Sequence, residues 1–378
     1  MAPRSDSIVF RIVVALSVVL GVLLALGHHL VDGATVDKNV IDRCWKLNSD
    51  WRHDRYRLAT CSVGFSGKMS GNIGEGVVSY TVTDPGDDPL NPRPGTLRYG
   101  ATMIKGKVWI SFSRDMTIKL ANALYLGSFT TIDGRGATVH IAGGACLVVH
   151  EVHDVIIHGL HIHDCQPQNG GRIMGPGGKV MSIIPVDGDG IRVMTSSKVW
   201  IDHNTLSRCQ DGLVDVTRGS TGITISNNQF TDQDKVMLLG HVDGHAPDKN
   251  MKVTVIYNHF GPNCDQRMPR VRNGYAHVAN NLYEGWGWYA IGGSSSPTIE
   301  SEANVFIPTK NKEVIWKGGS DNSGRFYSVG DLFENGATFA RTGQIGSTTP
   351  NYSPDQRFQV ANADSVRNLT MSAGAQKL

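Results

Sequence analysis

A degenerate repeat in the middle of the chain restricts the possible folds more than any other sequence feature. In each copy, a run of alternating apolar residues leads into an asparagine, and another apolar residue follows two positions later. The asparagines of five copies are 24, 30, 23 and 23 residues apart, at Asn204, Asn228, Asn258, Asn281 and Asn304. Repeats of this size cannot bury an apolar face alone, so they stack and pair in parallel with their neighbours. The pattern predicts a solenoid in which asparagine, which tolerates left-handed backbone, occupies a bend in each coil.

The residue pattern of the rest of the chain fits the same architecture. Residues 39–60 are predicted to form a helix, because Ile41, Trp45 and Leu58 are apolar positions among charged neighbours. Downstream of this segment, short β-rich runs are broken by Gly, Asn and Asp, and amphipathic helices do not separate them, which excludes alternating βα units. The open ends of a solenoid need covering. We expect the predicted helix to cap one end, and residues 309–378 to cover the other end or to pack along the side.

Length and charge limit the classes of function. The chain has 378 residues, 40% of them hydrophobic, which is enough for a large core. Repeats allow residues 35–378 to form a single long domain, which we expect to be monomeric. The 36 basic and 34 acidic residues leave a net charge of +2, so the composition does not indicate nucleic-acid binding. A polyanionic partner would have to bind at a local basic patch.

The first residues have the pattern of a secretory signal. Arg4 and Arg11 precede an apolar run of fifteen residues, Ile12–Leu26, which is short for a membrane span. Small residues after this run predict a signal peptide over residues 1–27, with cleavage between positions 27 and 34. An uncleaved signal anchor is the alternative. The favoured interpretation places the mature chain outside the cell or in the cell wall, without stable membrane association.

The cysteines agree with an oxidising compartment. The chain contains six of them, Cys44, Cys61, Cys146, Cys165, Cys209 and Cys264. The first two and the next two are expected to form local disulfides, each closing a loop of about 18–20 residues and contributing roughly 3 kcal/mol in the loop-entropy model. The last two are interpreted as buried free thiols. Two sequons, at Asn351 and Asn368, are predicted glycosylation sites.

Four aspartates form the clearest candidate metal site. Asp187 and Asp189 are two positions apart, so on an extended segment both side chains point the same way. Asp211 and Asp215 follow 24 and 26 residues later, about one coil further on, so stacking would bring all four carboxylates together. Oxygen ligands alone suit Ca²⁺ better than Zn²⁺. The alternative is that the Asp-Gly pairs merely form turns, but the offset of one coil favours a calcium site.

A basic cluster lies further along the chain. Arg267, Arg270 and Arg272 share one short segment, and Lys235 precedes them by about one coil. Opposite the acidic cluster, these cations would bind a polyanion, and arginine binds carboxylates in a bidentate geometry that fits uronate units. The alternative is a solvated basic turn.

A group of histidines is interpreted differently. It comprises His150, His153, His158, His161 and His163. No cysteine or carboxylate spacing completes a metal site around them, so we interpret them as a solvated face. His203 is likewise interpreted as a residue that locks a coil in place rather than as a catalytic base.

Six motifs combine these residues into one ordered pattern. They are Asp187-Gly-Asp189, Val199-Trp-Ile-Asp-His203, Asp211-Gly-Leu-Val-Asp215, Lys235-Val-Met-Leu-Leu-Gly240, Arg267-Met-Pro-Arg-Val-Arg272 and Tyr289-Ala-Ile-Gly-Gly293. From about Val40 to Pro308, this pattern resembles the plant pectate lyase family, which includes pollen allergens. The resemblance implies an all-β fold, a right-handed parallel β-helix of three sheets. It also implies a Ca²⁺-dependent enzyme that cleaves de-esterified pectate (polygalacturonate) by anti β-elimination.

The resemblance also implies a role for each cluster. The family's calcium ligands correspond to Asp187, Asp189, Asp211 and Asp215, its catalytic arginine to Arg267, and its substrate-binding lysine and second arginine to Lys235 and Arg272. Arg270 joins the substrate-binding residues as a member of the basic cluster. Removal of the C5 proton of galacturonate builds negative charge beside its carboxylate, which calcium, Lys235 and Arg272 would neutralise. No catalytic position of the motifs is lost, although the family often has cysteine where Val271 stands.

Other functions are compatible with part of this pattern. A polygalacturonase-type hydrolase shares the β-helix, but it requires positioned acid and base carboxylates, and the chain lacks its Asn-Thr-Asp, Gly-His-Gly and Arg-Ile-Lys signatures. A non-catalytic pectate-binding protein of the wall or of pollen would be expected to lose Arg267 or a calcium ligand, and neither is lost. A lyase acting on methyl-esterified pectin is disfavoured, because four aspartates suit calcium and charged uronate.

Overall fold

Each coil of the chain contributes strands to three parallel sheets. In a computed structural model of the protein, the structure describes residues 38–46, 50–318, 324–342 and 348–376. The predicted signal peptide lies outside these residues, and from Lys38 onward the chain forms one compact unit. Within the described ranges, none of the helices is both long enough and apolar enough to cross a membrane.

Sheet 1 is the longest of the three sheets in the described part of the chain, and strands are numbered in chain order. Its ten strands are, in spatial order, β1 (Val78–Val82), β2 (Val108–Phe112), β5 (Thr130–Asp133), β8 (His153–His158), β13 (Ser197–Asp202), β16 (Thr221–Ser226), β20 (Lys252–Ile256), β24 (Tyr275–Ala279), β27 (Thr298–Glu302) and β30 (Arg325–Val329).

Sheets 2 and 3 complete the coils in the same described ranges. The nine strands of sheet 2 are β3 (Met116–Ile118), β6 (Val139–Ala142), β9 (His161–His163), β14 (Thr205–Ser207), β17 (Gln229–Thr231), β21 (His259–Phe260), β25 (Leu282–Glu284), β28 (Val305–Ile307) and β31 (Leu332–Phe333). The eight strands of sheet 3 are β4 (Leu124–Leu126), β7 (Leu147–His150), β12 (Ile191–Met194), β15 (Val214–Thr217), β19 (Met237–Leu239), β23 (Arg270–Arg272), β26 (Ile291–Ser294) and β29 (Ile315–Lys317).

Two strand pairs accompany the coils, again among the described residues. An antiparallel pair joins β10 (Gly171–Gly175) to β11 (Lys179–Ile183), and a parallel pair joins β18 (Gln233–Lys235) to β22 (Cys264–Gln266). In the main sheets, register repeats from coil to coil. Val199 pairs with Ile223, Ile223 with Val253, and Val253 with Ala276, and all four are fully buried. The same position therefore faces the core in each of these coils, as a solenoid requires.

The predicted asparagine positions form a buried ladder along one bend. The side-chain amide of each asparagine donates to Oδ1 of the next: Asn204 to Asn228 at 3.1 Å, Asn228 to Asn258 at 3.0 Å, Asn258 to Asn281 at 2.9 Å, and Asn281 to Asn304 at 3.0 Å. The residues two positions further on also stack, as Phe230 does on Phe260 with ring centroids 5.0 Å apart. The ladder confirms that asparagine recurs at a bend in each of these coils. The left-handed conformation expected of the asparagine belongs instead to the residue before it, because φ lies between 50° and 58° at His203, Asn227, Tyr257, Asn280 and Ala303.

The N-terminal helix is shorter than predicted and lies along the side of sheet 1. Helix α1 spans Val40–Lys46, and a 3₁₀ helix spans Arg55–Thr60, in place of one helix over residues 39–60. Their buried residues cluster with outward-facing residues of sheet 1, which include Trp109 and Trp200. These large aromatic side chains make the outer face of the sheet apolar, and the N-terminal segment removes that face from water.

A different helix covers the first coil. Helix α2 spans Leu97–Thr102, and its Leu97 and Ala101 are buried in the main core together with Ile110 and Leu124 of sheets 1 and 3. The capping position expected for the first helix is thus occupied by α2. This segment is too short to show the amphipathic period by which a helix is predicted.

The C-terminal segment divides into two parts. The coils continue past residue 309 through β29, β30 and β31, so the regular fold extends further than predicted. After residue 348 the chain returns along the outside of the parallel β-helix. The hydroxyl groups of Tyr352 and Thr254 lie 2.7 Å apart, and the amide of Gly374 donates to the carbonyl oxygen of Asn227 at 2.7 Å. The remaining helices are α3 (Val366–Thr370) and 3₁₀ turns at Gly64–Ser66, Ser70–Asn72, Ala246–Asn250 and Ala363–Ser365.

Both predicted disulfides are present. Cys44 is bonded to Cys61 and Cys146 to Cys165. Cys209 and Cys264 are free and buried, as expected. Burial raises the pKa of each of these two thiols to about 12, so both remain protonated and unreactive at neutral pH.

Candidate active site

The predicted site residues converge on the outer face of sheet 3. The outward positions of four successive strands are in register: Arg192 of β12 pairs with Asp215 of β15, Asp215 with Leu238 of β19, and Leu238 with Arg270 of β23. These four residues are partly exposed, whereas the residues flanking them along the chain are buried, so their side chains point outward. A row of outward side chains, three of them charged and one (Leu238) apolar, therefore crosses the coils on one face.

Three of the four predicted calcium ligands meet beside this row. Carboxylate oxygens of Asp187, Asp189 and Asp211 lie within 4.8 Å of one another. Asp187 and Asp189 belong to the turn before β12, and Asp211 to the turn before β15. Gly188 has a φ of 98°, a conformation that favours glycine, which explains the Asp-Gly-Asp sequence of the turn. The offset of one coil brings Asp211 next to Asp187 and Asp189, as predicted.

Asp215 adjoins this group from the strand itself. A Cβ atom at Gly212 would lie 2.7 Å from Oδ1 of Asp215 and 3.0 Å from Oδ1 of Asp189, so the glycine leaves room for both carboxylates. Burial and the charge of Asp211 raise the pKa of Asp215 to about 7. Burial, Asp215 and Asp187 raise the pKa of Asp189 well above its usual range. Full ionisation of these carboxylates at neutral pH therefore requires a counter-charge.

The donor set of this acidic cluster fits a hard divalent cation. All four side chains offer only carboxylate oxygens, the donors that Ca²⁺ prefers. Oδ1 of Asp189 accepts a hydrogen bond of 2.8 Å from the amide of Gly212. Oδ2 of Asp189 is buried and has no hydrogen-bond partner within the part of the chain that the structure describes. Such an atom costs free energy unless a cation or another donor satisfies it, so the orphaned oxygen is consistent with a metal ligand.

Arg192 belongs to the acidic cluster, although it was not among the predicted site residues. Its Nη1 atom lies 3.0 Å from Oδ1 of Asp187, and its Nε atom lies 3.8 Å from Oδ2 of Asp189. The sequence contained a signal for it. Arg192 stands between the apolar residues Ile191 and Val193 in the run that follows Asp-Gly-Asp, and alternation places it on the outer face of the strand.

Lys235 connects the acidic cluster to the basic one. It is the last residue of β18, one coil after Asp211, and its Nζ atom lies 2.8 Å from Oδ1 of Asp211. Both side chains are about a third exposed, so the pair is accessible to a ligand. Any cation that coordinates Asp211 therefore competes with Lys235.

The three predicted arginines differ in their surroundings. The Nε atoms of all three are buried and make no hydrogen bond within the described ranges, although Nε of Arg272 lies 3.2 Å from Oδ1 of Asp243. The guanidinium of Arg270 lies over the ring of Trp316, 4.8 Å from its centroid. Arg272 donates to the carbonyl oxygen of His241 at 2.8 Å, and burial and the charge of Arg270 lower its pKa. Unpaired donors in a cluster of positive charge suit an anionic ligand.

The site is an open surface rather than an enclosed cavity. The cavity beside Asp187 and Arg192 measures only about 10 Å³. A cavity of about 470 Å³ lies elsewhere, and its lining, which includes Lys252, Tyr275 and Asn351, contains none of the predicted catalytic or metal-binding residues.

The Val-Trp-Ile-Asp-His motif docks the N-terminal helix onto sheet 1. Nδ1 of His203 lies 2.7 Å from Asp202, and its Nε2 lies 3.0 Å from Asp42 of α1. Burial opposes the charged form of His203, but the two carboxylates outweigh burial and raise its pKa. Asp202 also contacts His158 at 2.9 Å, and burial lowers the pKa of His158 to about 4. His203 thus has a locking role, as expected, whereas His158 is buried and is not part of a solvated face.

Comparisons with known proteins agree with this geometry. A family model described as pectate lyase matches residues 117–378. Over 353 residues the chain is 50% identical to a protein named putative pectate lyase 2 of Arabidopsis thaliana, with 91% of each protein covered. The crystal structure of Jun a 1, the major allergen from cedar pollen, matches with a TM-score of 0.86 at 48% identity, over 90% of this chain and 100% of that chain. A pectate lyase bound to a hexasaccharide matches with a TM-score of 0.53 at 25% identity, over 67% of this chain and 69% of that one.

Fold and site together define a parallel β-helix protein with a cluster of carboxylates beside basic side chains on one face. Within that class, the chain belongs to the pectate lyase family of enzymes. The predicted family and the predicted right-handed parallel β-helix of three sheets are therefore confirmed.

Proposed function

We propose that this chain is a calcium-dependent pectate lyase that cleaves de-esterified (1→4)-α-D-galacturonan by β-elimination and releases 4,5-unsaturated oligogalacturonides. The observation that carries the proposal is the convergence of Asp187, Asp189 and Asp211, whose carboxylate oxygens lie within 4.8 Å of one another, beside Lys235 on a face that also presents arginines. Carboxylates of this kind hold a hard divalent cation, and the neighbouring cations suit the carboxylates of a uronate polymer. Membership of the pectate lyase family supports the same function.

In this proposal, Asp187, Asp189, Asp211 and Asp215 hold calcium. The buried Oδ2 atom of Asp189, which has no hydrogen-bond partner among the described residues, is the strongest candidate ligand atom. When bound, calcium supplies positive charge that neutralises the substrate carboxylate next to C5. The aspartates also orient that carboxylate indirectly, because they determine where the positive charge lies.

Arg267 is proposed to take the C5 proton in its neutral form. C5–H of galacturonate is α to the carboxylate, so loss of the proton places negative charge on that group, where Lys235 and Arg272 would stabilise it. The bond between C4 and the glycosidic oxygen then breaks, the electron pair leaves with the oxygen, and a double bond forms between C4 and C5. Arg270, held over Trp316, would bind a neighbouring uronate.

Pectate binding without cleavage is the second candidate function. The basic side chains of the site support it, because they would bind a uronate polymer whether or not cleavage follows. A protein that only binds needs the cations of the site but has no use for a base. The retention of Arg267, whose buried Nε has no hydrogen-bond partner among the described residues, favours cleavage.

We further propose that the protein acts outside the cell, as a monomer, on cell-wall pectin. Two disulfides in one chain are typical of an oxidising compartment. The predicted glycosylation sites Asn351 and Asn368 are both exposed, as a glycan requires.

Digestion of polygalacturonate, followed by the ultraviolet absorbance of the unsaturated product, tests the proposed function. Absorbance should rise in the presence of calcium, stop rising when a chelator is added, and resume when calcium is restored. Highly methyl-esterified pectin, which lacks most of the charged groups, should react more slowly. New reducing ends without ultraviolet absorbance would indicate a hydrolase. Binding of polygalacturonate with neither signal would replace cleavage by the second candidate function.

A further inference from the structure

Arg192 is held on the site face by strand pairing on both sides. In the register of sheet 3, it lies between Val148 of β7 and Asp215 of β15. Its neighbours Ile191 and Val193 are fully buried, which fixes the backbone. Only 18% of the Arg192 side chain is exposed. The guanidinium can therefore lie against the acidic cluster or turn outward, but it cannot leave this face of the sheet.

The contacts of Arg192 are with carboxylates that are proposed to bind calcium. Its Nη1 lies 3.0 Å from Oδ1 of Asp187, and its Nε lies 3.8 Å from Oδ2 of Asp189, the buried oxygen without a hydrogen bond. The guanidinium of Arg192 thus supplies positive charge to Asp187 and Asp189, as a bound cation would.

Two cations of the protein enclose the acidic cluster along the coil axis. Arg192 lies in the coil of β12 and contacts Asp187. Lys235 lies two coils further along the chain and contacts Asp211 at 2.8 Å. Lys235 has a role in substrate binding in the proposed mechanism, whereas Arg192 has no role there. A divalent cation entering this cluster has to compete with both side chains for the same oxygens.

We propose that Arg192 is an internal counter-cation of the calcium site, which pairs with Asp187 and Asp189 in the calcium-free protein and gives up these contacts when calcium binds. The proposal rests on the calcium assignment of the proposed function. It follows that Arg192 stabilises the calcium-free fold and weakens calcium binding, because breaking its ion pairs is part of the binding reaction. The calcium concentration at which the site fills then depends on Arg192 as well as on the aspartates.

Calcium titration calorimetry on substrate-free, chelator-treated protein tests this proposal directly. Arg192→Gln removes the charge and keeps a polar side chain, which is shorter than that of arginine. Its dissociation constant for calcium should be roughly tenfold lower than that of the parent, within the range over which charge tunes calcium sites. Arg208→Gln is the matched control, because Arg208 is also paired with an aspartate, Asp164 at 3.1 Å, but follows β14 of sheet 2 outside the site. Its dissociation constant should equal that of the parent.

Arg192→Lys separates charge from shape. Lysine keeps the positive charge but loses the planar fork of the guanidinium. Its calcium dissociation constant should stay closer to that of the parent than to that of Arg192→Gln. If the lysine variant instead binds calcium as tightly as the glutamine variant, competition by charge is excluded and the proposal fails.

Thermal melting supplies a second measurement that needs no activity. In excess chelator, Arg192→Gln should melt at a lower temperature than the parent, because the carboxylates lose a counter-charge. Calcium should then raise its melting temperature by more than it raises that of the parent. Equal dissociation constants for the parent and Arg192→Gln would overturn this inference and leave the calcium site intact. Absence of calcium binding by every variant would overturn the calcium assignment itself, and this inference with it.

Discussion

The Nζ atom of Lys235 lies 2.8 Å from Oδ1 of Asp211, so a residue assigned to substrate contacts a residue assigned to calcium. The two side chains come from successive coils, which places them side by side on the same face. A divalent cation that coordinates Asp211 releases Lys235 for a substrate carboxylate. Calcium binding and substrate binding are therefore expected to strengthen each other, as linked equilibria do.

Asp215→Asn is expected to weaken calcium binding and activity together. The amide keeps the size of the side chain but removes one charge from the acidic cluster, so the calcium dissociation constant should rise about tenfold or more. Calcium titration calorimetry measures the constant, and kcat/KM at subsaturating calcium should fall in parallel. Asp364→Asn, at an exposed aspartate in the C-terminal segment, is the control. An unchanged dissociation constant would show that Asp215, which lies outside the group of three converging carboxylates, is not a ligand.

Arg267→Lys is expected to separate catalysis from binding. Lysine keeps the positive charge but loses the planar fork and reach of arginine. Turnover on polygalacturonate should fall by about two to four orders of magnitude, the usual range for lost acid–base catalysis, while KM changes little. Steady-state kinetics at saturating calcium measure both. Near-parental turnover would place the base at another residue.

Arg272→Lys provides the matched comparison for that experiment. Arg272 donates to the carbonyl oxygen of His241 and is assigned to holding the substrate carboxylate rather than to taking a proton. The same substitution should therefore raise KM and lower kcat together. Identical kinetic effects at Arg267 and Arg272 would contradict the division of roles between them.

Activity is expected to be highest at alkaline pH. Burial and the charge of Asp211 raise the pKa of Asp215 to about 7, so this ligand is mostly protonated in acid. A carboxylate must lose its proton to bind a metal, so calcium affinity should increase as the pH rises from about 6 to 8. Calorimetry across this range and a kcat/KM profile at fixed free calcium measure the effect. A rate maximum below about pH 6 would indicate hydrolysis by carboxylates instead.

Stability is expected to fall in acid because of His158. Burial lowers its pKa from 6.5 to about 4, so between these values the folded protein binds fewer protons than the unfolded chain. The contribution of His158 is therefore complete above the unfolded pKa and is lost as the pH falls through the folded pKa. The loss amounts to about 3 kcal/mol.

Urea unfolding of the parent and of His158→Gln at several values between about pH 4 and 7 measures this effect. The free energy of unfolding of the variant should depend less on pH than that of the parent. His53→Gln is the control, since the His53 side chain is 85% exposed. Equal pH dependence in the parent and in His158→Gln would contradict the assignment.

The local sequence by itself determined the coil architecture and most of the acidic cluster. Asparagine recurs at an interval close to one coil, so its spacing predicted the stacking of the coils, which places Asn228 beside Asn258 in the ladder. The offset between Asp187 and Asp211 predicted their contact in the same way. These features could be predicted because a solenoid converts a period along the chain into a neighbour in space.

Only the tertiary structure decided which outer faces are covered and which outward charges meet. Trp45 of α1 packs edge-on against His158 and His203, with centroids 5.5 and 5.7 Å away, so the first helix lies along sheet 1 rather than over its open end. Alternation shows that Arg192 points outward, but its contact with Asp187 depends on the path of the turn between them. A period identifies inward and outward positions. It does not show which residue of a distant segment will contact an outward side chain, because that contact depends on packing between segments far apart in the chain.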